Sequence, residues 1–356
     1  MWLYMLYMNT TKAAIKSKVL VAFLIKYYLL NIYALFWEYF SYKVGFIMSN
    51  NVLNLERTKN KDMNEELIKI RKIINEADAI VIGAGSGLST SAGFSYSGDR
   101  FDRYFRDFVD KYGFSDMYSG GFFPFTSEEE KWAYWSRYVY INRYSPIPED
   151  TYSKLFELIR DKNYFVITTN VDHCFQKSAF DKERLFYTQG DFGLFQCSRP
   201  CHKKTYENYG IIREMLLSQG YSFDEDKKLI PLADPSMTVD TKLIPRCPIC
   251  GEYMSMNLRA DDTFVEDDGW RASAKRYAEF IRKNISKKIV FMELGVGMNT
   301  PGIIKYNFWN MTREFEKANY ICINYDDASY PPDIRDKSIY LEGDLGEIIK
   351  ELWEKL

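Results

Sequence analysis

Ile80-Val81-Ile82-Gly83-Ala84-Gly85-Ser86-Gly87-Leu88-Ser89 sets a β-branched apolar run directly before a turn with three glycines. The run reads as a buried strand. Glycine lets the backbone that follows come close to a pyrophosphate and aim its N–H groups at the anion. The same turn also occurs as plain punctuation after a strand, so its surroundings decide the reading. Upstream, Leu67, Ile70, Ile73 and Ile74 recur at helical spacing and feed an apolar strand at 79–82. Downstream, β-branched apolar runs at 165–168, 289–294, 320–323 and 338–341 read as buried parallel strands, with room between them for crossover helices. The expected fold is α/β, a Rossmann-like doubly wound parallel sheet. A dehydrogenase of that class would carry an acidic residue about 20 residues after the turn, at a strand end. Here the region is Asp99-Arg100-Phe101-Asp102, which reads as aromatic loop or helix and weighs against hydride transfer.

With 356 residues, 46% hydrophobic, the chain can bury one large core or a core plus a smaller module. Lys+Arg 47 against Asp+Glu 49 gives a net charge of −2, so no global pull toward nucleic acid or an anionic membrane is implied. Six cysteines spread over this length do not form a secreted disulfide framework, and a reducing cytoplasm fits best. The aromatic excess falls in the first fifty residues and in 94–144. Residues 1–47 are rich in Tyr, Phe, Leu and Lys, but Lys26 and Asn31 interrupt the apolar stretch, making it a poor membrane span, and no small-residue cleavage site follows. Three readings stay open for this segment: a start codon assigned too early, with Met48 or Met63 as the true start, an amphipathic or membrane-associated helix, or an extra packed element. The expected organisation is an extension over 1–63, the first part of a nucleotide-binding domain over 64–194, an inserted small domain over 195–270, and the second part over 271–356.

Cys197-Ser-Arg-Pro-Cys201 and Cys247-Pro-Ile-Cys250 are two close cysteine pairs inside that insert. Two such knuckles can close a tetrahedral Cys₄ zinc site with no open position for water, so Cys197, Cys201, Cys247 and Cys250 are expected to hold a structural zinc. Cys174 and Cys322 read as core residues.

The order of the pieces resembles the sirtuins from about residue 64 to the C-terminus. The glycine turn is followed by Thr168-Thr169-Asn170-Val171-Asp172, Gln189-Gly190, the two cysteine pairs, Gly295-Val296-Gly297 and Asn324. The stretches Gln189-Gly190-Asp191-Phe192-Gly193 and Gly295-Val296-Gly297-Met298-Asn299-Thr300-Pro301 are similar to the microbial, macrodomain-linked (class M) branch, which is associated with protein ADP-ribosylation. The resemblance implies a cleft between a Rossmann-like domain and a zinc ribbon, holding NAD and a side chain of a target protein. It places Gly83, Ala84 and Gly85 in the phosphate-cradling turn, with Ser89 just after it. Asn170 and Asp172 fall around the nicotinamide ribose. Gly295, Val296 and Gly297, with Asn299 close by, line the adenosine half; Asn324 meets the adenine ribose, and Asp344 with Leu345 lies near the adenine. Arg259, after the second knuckle, is a candidate contact for acceptor or phosphate. As partners the resemblance implies a lipoylated, glycine-cleavage H-like carrier protein as acceptor, with a macrodomain ADP-ribosyl hydrolase and a lipoate ligase.

Departures from the deacylating members point the same way. Gln189 stands where their His activates a ribose hydroxyl, and an amide can orient a hydroxyl but cannot take its proton. His173, inside the motif beside Asp172, and His202, in a zinc knuckle, are not evident substitutes. Thr169 replaces a Gln, and Phe94-Ser95-Tyr96-Ser97-Gly98 replaces an Ile-Pro-Asp-Phe-Arg segment. The expected activity is NAD-dependent protein mono-ADP-ribosyl transfer, with Asn170, Asp172 and Gln189 as the catalytic set. The alternatives are a lysine deacylase and an inactive NAD or ADP-ribose binding module.

Overall fold

The computed structural model describes residues 63–298, 301–326 and 328–354. The readings of 1–47 and the Asn299 assignment lie outside the described residues.

Helix α1 (Met63–Glu76) buries Leu67, Ile70 and Ile74 and leads into β1 (Ala79–Ala84). A six-residue helix, α2 (Ser86–Ser91), follows the turn. Then come α3 (Asp99–Tyr112), α4 (Met117–Gly121) and α5 (Glu128–Val139). The Ser127 hydroxyl caps α5 by accepting the Glu130 N–H, and three glutamates in its first turn complement the helix dipole. Helix α6 (Thr151–Ile159) precedes β2 (Tyr164–Thr168), the one-turn α7 (Cys174–Lys177) and β3 (Leu185–Tyr187). The insert holds β4 (Gly190–Cys197), β5 (Tyr206–Glu207), α8 (Tyr209–Ser218), β6 (Ser222–Phe223), β7 (Leu229–Ile230) and β8 (Met254–Leu258). Helix α9 (Asp268–Asn284) returns the chain to β9 (Ile289–Leu294), α10 (Lys305–Glu314), β10 (Asn319–Asn324), β11 (Ser338–Glu342) and α11 (Leu345–Glu354).

The main sheet has the order β11-β10-β9-β1-β2-β3, with every pairing parallel. Ile80, Ile82, Met292, Leu294 and Ile321 face a core shared with α1, α6 and α11, while Phe165 meets Tyr277 and Phe280 of α9 and Phe291 meets Phe308 of α10. Helices therefore cover both faces, as the doubly wound reading requires. The expected strand at 289–294 is found with those bounds, and the others extend by one or two residues at one or both ends. Helix α8 begins only at Tyr209, because Tyr206 and Glu207 pair with Phe195 and Leu194 of β4.

A second core lies around the antiparallel sheet β5-β4-β8. It takes Phe192, Phe195, Ile212 and Met256 from β4, α8 and β8, together with Phe101, Phe105, Phe108, Trp132 and Tyr134 from α3 and α5. Burying each such ring contributes on the order of 1.5–3 kcal/mol. At its centre Arg137 is fully buried, donating to Gln219 Oε1 (2.8 Å), Asp107 Oδ1 (2.7 Å) and the carbonyls of Tyr104 and Ser236 (3.0 Å each). A guanidinium can be this deep only because its N–H groups find acceptors.

Candidate active site

The order in which strands are added reverses between β1 and β9, since β2 and β3 build outward on one side of β1 and β10 and β11 on the other side of β9. In open parallel sheets, ligands bind outside the carboxyl ends of the strands at such a switch point. The sequence-derived cofactor residues gather there. Gly85 follows β1, Asn170 and Asp172 follow β2, Gly295–Gly297 follow β9, Asn324 ends β10, and Asp344 follows β11.

The two glycine turns interlock. Gly85 donates its N–H to Leu294 O, and Gly87 donates to Gly295 O, each at 3.0 Å. A Cβ on Gly85 would sit 2.5 Å from Gly295 O, and one on Gly87 would sit 2.8 Å from Gly295 Cα. Gly295 has φ +60° and would bring its own Cβ within 2.5 Å of Leu88 N. Glycine is thus demanded at both turns by backbone packing and, at Gly295, by the left-handed conformation. Gly83 lies within β1 against Phe308, where an added Cβ would meet the ring at 2.5 Å. Gly297 is different: it is exposed, and a Cβ there would meet open space.

Asn170 and Asp172 are tied to the first turn. Asn170 Nδ2 donates to Gly85 O (2.8 Å), Ser89 Oγ (3.0 Å) and Tyr152 OH (3.3 Å). Ser89 Oγ donates to Asp172 Oδ2 at 2.5 Å, and the other carboxylate oxygen accepts the Cys174 N–H at 2.9 Å. Ser89, Tyr152 and Asp172 are buried. Burial, reinforced by the Asp172 charge, raises the Tyr152 phenol well above its ordinary value, so it stays neutral and within 2.8 Å of Ser89 Oγ. Asn170 Oδ1 accepts no hydrogen bond from the described residues, although the amide nitrogen of the same side chain is held by three contacts. The side chain of Gln189, half-buried, is likewise unengaged, while its carbonyl accepts the Arg259 N–H at 3.0 Å. The Arg259 guanidinium pairs with Glu266 Oε1 (2.8 Å) and lies over Phe264 and Trp270.

On the far side, Asn324 Nδ2 donates to the carbonyl of buried Val296 at 3.1 Å. Asp344 Oδ1 caps α11 by accepting the Glu347 N–H at 3.0 Å, and Leu345 packs in the main core. Beside Asp172, His173 Nδ1 lies 3.0 Å from Asp191 Oδ2, and Asp191 Oδ1 accepts from Arg143 Nε at 2.6 Å. Burial alone would raise the Asp191 carboxyl, but the His173 hydrogen bond and the Arg143 charge outweigh it and hold it at about 2. Tyr152 and Arg143 carry no motif signal in the sequence, and Asp191, although it stands in the Gln189–Gly193 stretch, has no role that the stretch alone assigns.

The four knuckle sulfurs cluster within 4.8 Å of one another, with Cys197–Cys250 at 3.6 Å and Cys201–Cys247 at 3.7 Å. A tetrahedron with Zn–S of about 2.3 Å has edges of about 3.8 Å. The cluster therefore fits a closed zinc site. Among the described residues, no helix is long and apolar enough to cross a membrane.

No family model matches the chain. A protein ADP-ribosyltransferase of Staphylococcus aureus (strain Mu50 / ATCC 700699) is 36% identical over 295 residues, spanning 83% of this chain and 87% of that one. A probable bifunctional ADP-ribose hydrolase/ADP-ribosyltransferase of Fusarium oxysporum f. sp. cubense is 30% identical over 332 residues, 89% of this chain and 52% of that longer protein. Among solved structures, Sir2Tm bound to a propionylated peptide is 14% identical, covering 81% of this chain and 98% of its own, with TM-score 0.49. A Sir2 homolog–NAD complex is 17% identical, covering 84% and 95%, with TM-score 0.48. With most of both chains matched to the staphylococcal relative, this chain belongs to the family of protein ADP-ribosyltransferases and is an enzyme.

Proposed function

We propose that the cleft outside β1, β2, β9 and β10 binds NAD and transfers its ADP-ribose to a side chain of a lipoylated, H-like carrier protein, releasing nicotinamide. The observation that carries this is Asn170. Its nitrogen is fixed by Gly85, Ser89 and Tyr152, leaving its oxygen as a preorganised acceptor at the switch point. Cleavage of the nicotinamide bond develops positive charge on the ribose and expels a neutral group. The site therefore needs chiefly to position the sugar and stabilise that charge. Asn170 accepts from a ribose hydroxyl, buried Asp172 holds Ser89 and supplies negative charge, and Gln189 orients hydroxyls or the acceptor. Gly85, Gly295 and Val296, with Gly297 facing open space, let the pyrophosphate and adenosine approach the backbone; Asn324 and Asp344 sit at the adenine end. Gln189 supports transfer over deacylation, because the amide cannot serve as the base that deacylation requires.

The carrier substrate rests on the family resemblance, as does a lipoate ligase partner, while a cytoplasmic setting rests on the cysteine usage. A hydrolase partner has separate support, because the Fusarium relative's name joins an ADP-ribose hydrolase to a transferase in one chain. Labelled NAD offered with the same carrier in lipoylated and unlipoylated forms tests the acceptor. Label on the lipoylated form alone is expected, and equal labelling of both forms would refute the lipoyl requirement.

A further inference from the structure

We infer that His173, supported by Asp191 and Arg143, is the proton acceptor of the transfer reaction, and that the acceptor atom on the target carries a proton that it must lose. The inference rests on the transferase reading of the same cleft. Gln189 removes the family's usual base, yet an imidazole stands beside Asp172. His173 is the residue after Asp172, it lines a small pocket with Asn170, Asp172 and Tyr187 at the carboxyl ends of β2 and β3, and its side chain is 27% exposed. It holds φ +69°, which is uncommon for a residue with a Cβ and is retained where the surroundings over-determine it.

The carboxylate fixes the tautomer. Asp191 is held ionised at about 2 and can only accept, so His173 Nδ1 carries the hydrogen at 3.0 Å. The lone pair is then on Nε2, which makes no hydrogen bond with the described residues. A carboxylate at Nδ1 and a free Nε2 is the arrangement by which an imidazole is oriented as a base and stabilised once protonated. Asp191 is itself anchored by Arg143 Nε (2.6 Å) and the Gly193 N–H (2.6 Å). Asp172 lines the same pocket, and Lys177 follows one helical turn on, its backbone N–H donating to His173 O at 3.1 Å. Burial lowers the Lys177 ammonium and raises the Cys174 thiol and the Tyr187 phenol, so those last two stay neutral.

The step balances. The bond between the nicotinamide nitrogen and the ribose anomeric carbon breaks, and its electron pair leaves with neutral nicotinamide. The target's nucleophilic atom forms the new bond to that carbon. Its proton passes to His173 Nε2, so the positive charge that began on the nicotinamide ring ends on an imidazolium paired with Asp191. A proton-bearing nucleophile such as a hydroxyl or an amine fits this arrangement, whereas an ionised carboxylate acceptor needs no base.

The chain contains two histidines, so nitrogen-15 NMR of histidine-labelled protein resolves both, and His173→Asn assigns them. Asn tolerates the left-handed backbone and can still bond Asp191, but it cannot take a proton. The expected results are an Nδ1–H tautomer at His173 without ligand and transfer reduced 10²–10⁴-fold in His173→Asn, with NAD affinity kept. Imidazole should restore activity to His173→Gly. A wild-type rate in His173→Asn, or an Nε2–H tautomer, would overturn the inference. Failure of the transferase reading looks different, because wild type itself would then label no acceptor.

Discussion

Gly87 donates its backbone N–H to the carbonyl of Gly295 at 3.0 Å, and neither residue could carry a side chain without driving it into the other's turn. The turn expected to cradle phosphates is therefore also the joint that locks β1 to β9. Gly295→Ala should destabilise the protein by about 2–5 kcal/mol, combining a left-handed backbone with a forced contact at Leu88 N. Thermal melts with and without NAD check this; an unchanged melting temperature would show that the joint yields easily.

Arg137 ties α3, α5 and the insert together from a fully buried position. Arg137→Ala leaves Asp107 and Gln219 without their partner and should cost about 3–5 kcal/mol. Urea unfolding measures it, and a loss under 1 kcal/mol would mean that the network contributes little.

Asp191 makes acid stability testable with a definite sign. Its carboxyl is depressed to about 2 from 3.8, despite burial, by His173 and Arg143. A depressed acid stabilises above its unfolded value and loses that contribution as pH falls through its folded one. The stabilisation, about 2 kcal/mol, should be complete above pH ~4 and disappear toward pH ~2. Asp191→Asn should flatten that part of the stability curve; a curve parallel to wild type between these values would remove Asp191 as its source.

Zinc at Cys197, Cys201, Cys247 and Cys250 predicts one equivalent per purified chain and a lower melting temperature after chelation, since metal binding free energy adds to folding. Elemental analysis decides the stoichiometry. A metal-free protein with an unchanged melt would leave the sulfur cluster without that role.

The main sheet was legible because its central strands β1, β2 and β9 are buried on both faces and so appear as apolar runs, as in 289–294. The cysteine cluster was legible from spacing alone. The edge strand β3 was not, because Leu185-Phe186-Tyr187 is too short to establish a pattern. Aromatic excess in 94–144 signals burial but not against what, so the packing of Phe105 and Trp132 with the insert is a tertiary fact. The site divides similarly. Asn170 and Asp172 stand in a motif, whereas Tyr152 and Arg143 reach Ser89 and Asp191 from 63 and 48 residues away in the chain.

The central claim is that Asn170 and Asp172 organise a sugar for transfer to a protein. The direct measurement is label from NAD incorporated into acceptor protein by wild type and by Asn170→Ala, beside an acyl-lysine peptide assay of both. Losing a preorganised ribose acceptor should reduce incorporation by at least about 10²-fold, with the melting temperature lowered only modestly. Wild type should leave the acyl peptides unchanged. Undiminished labelling by Asn170→Ala, or NAD-dependent deacylation by wild type with no labelled protein, would contradict the account.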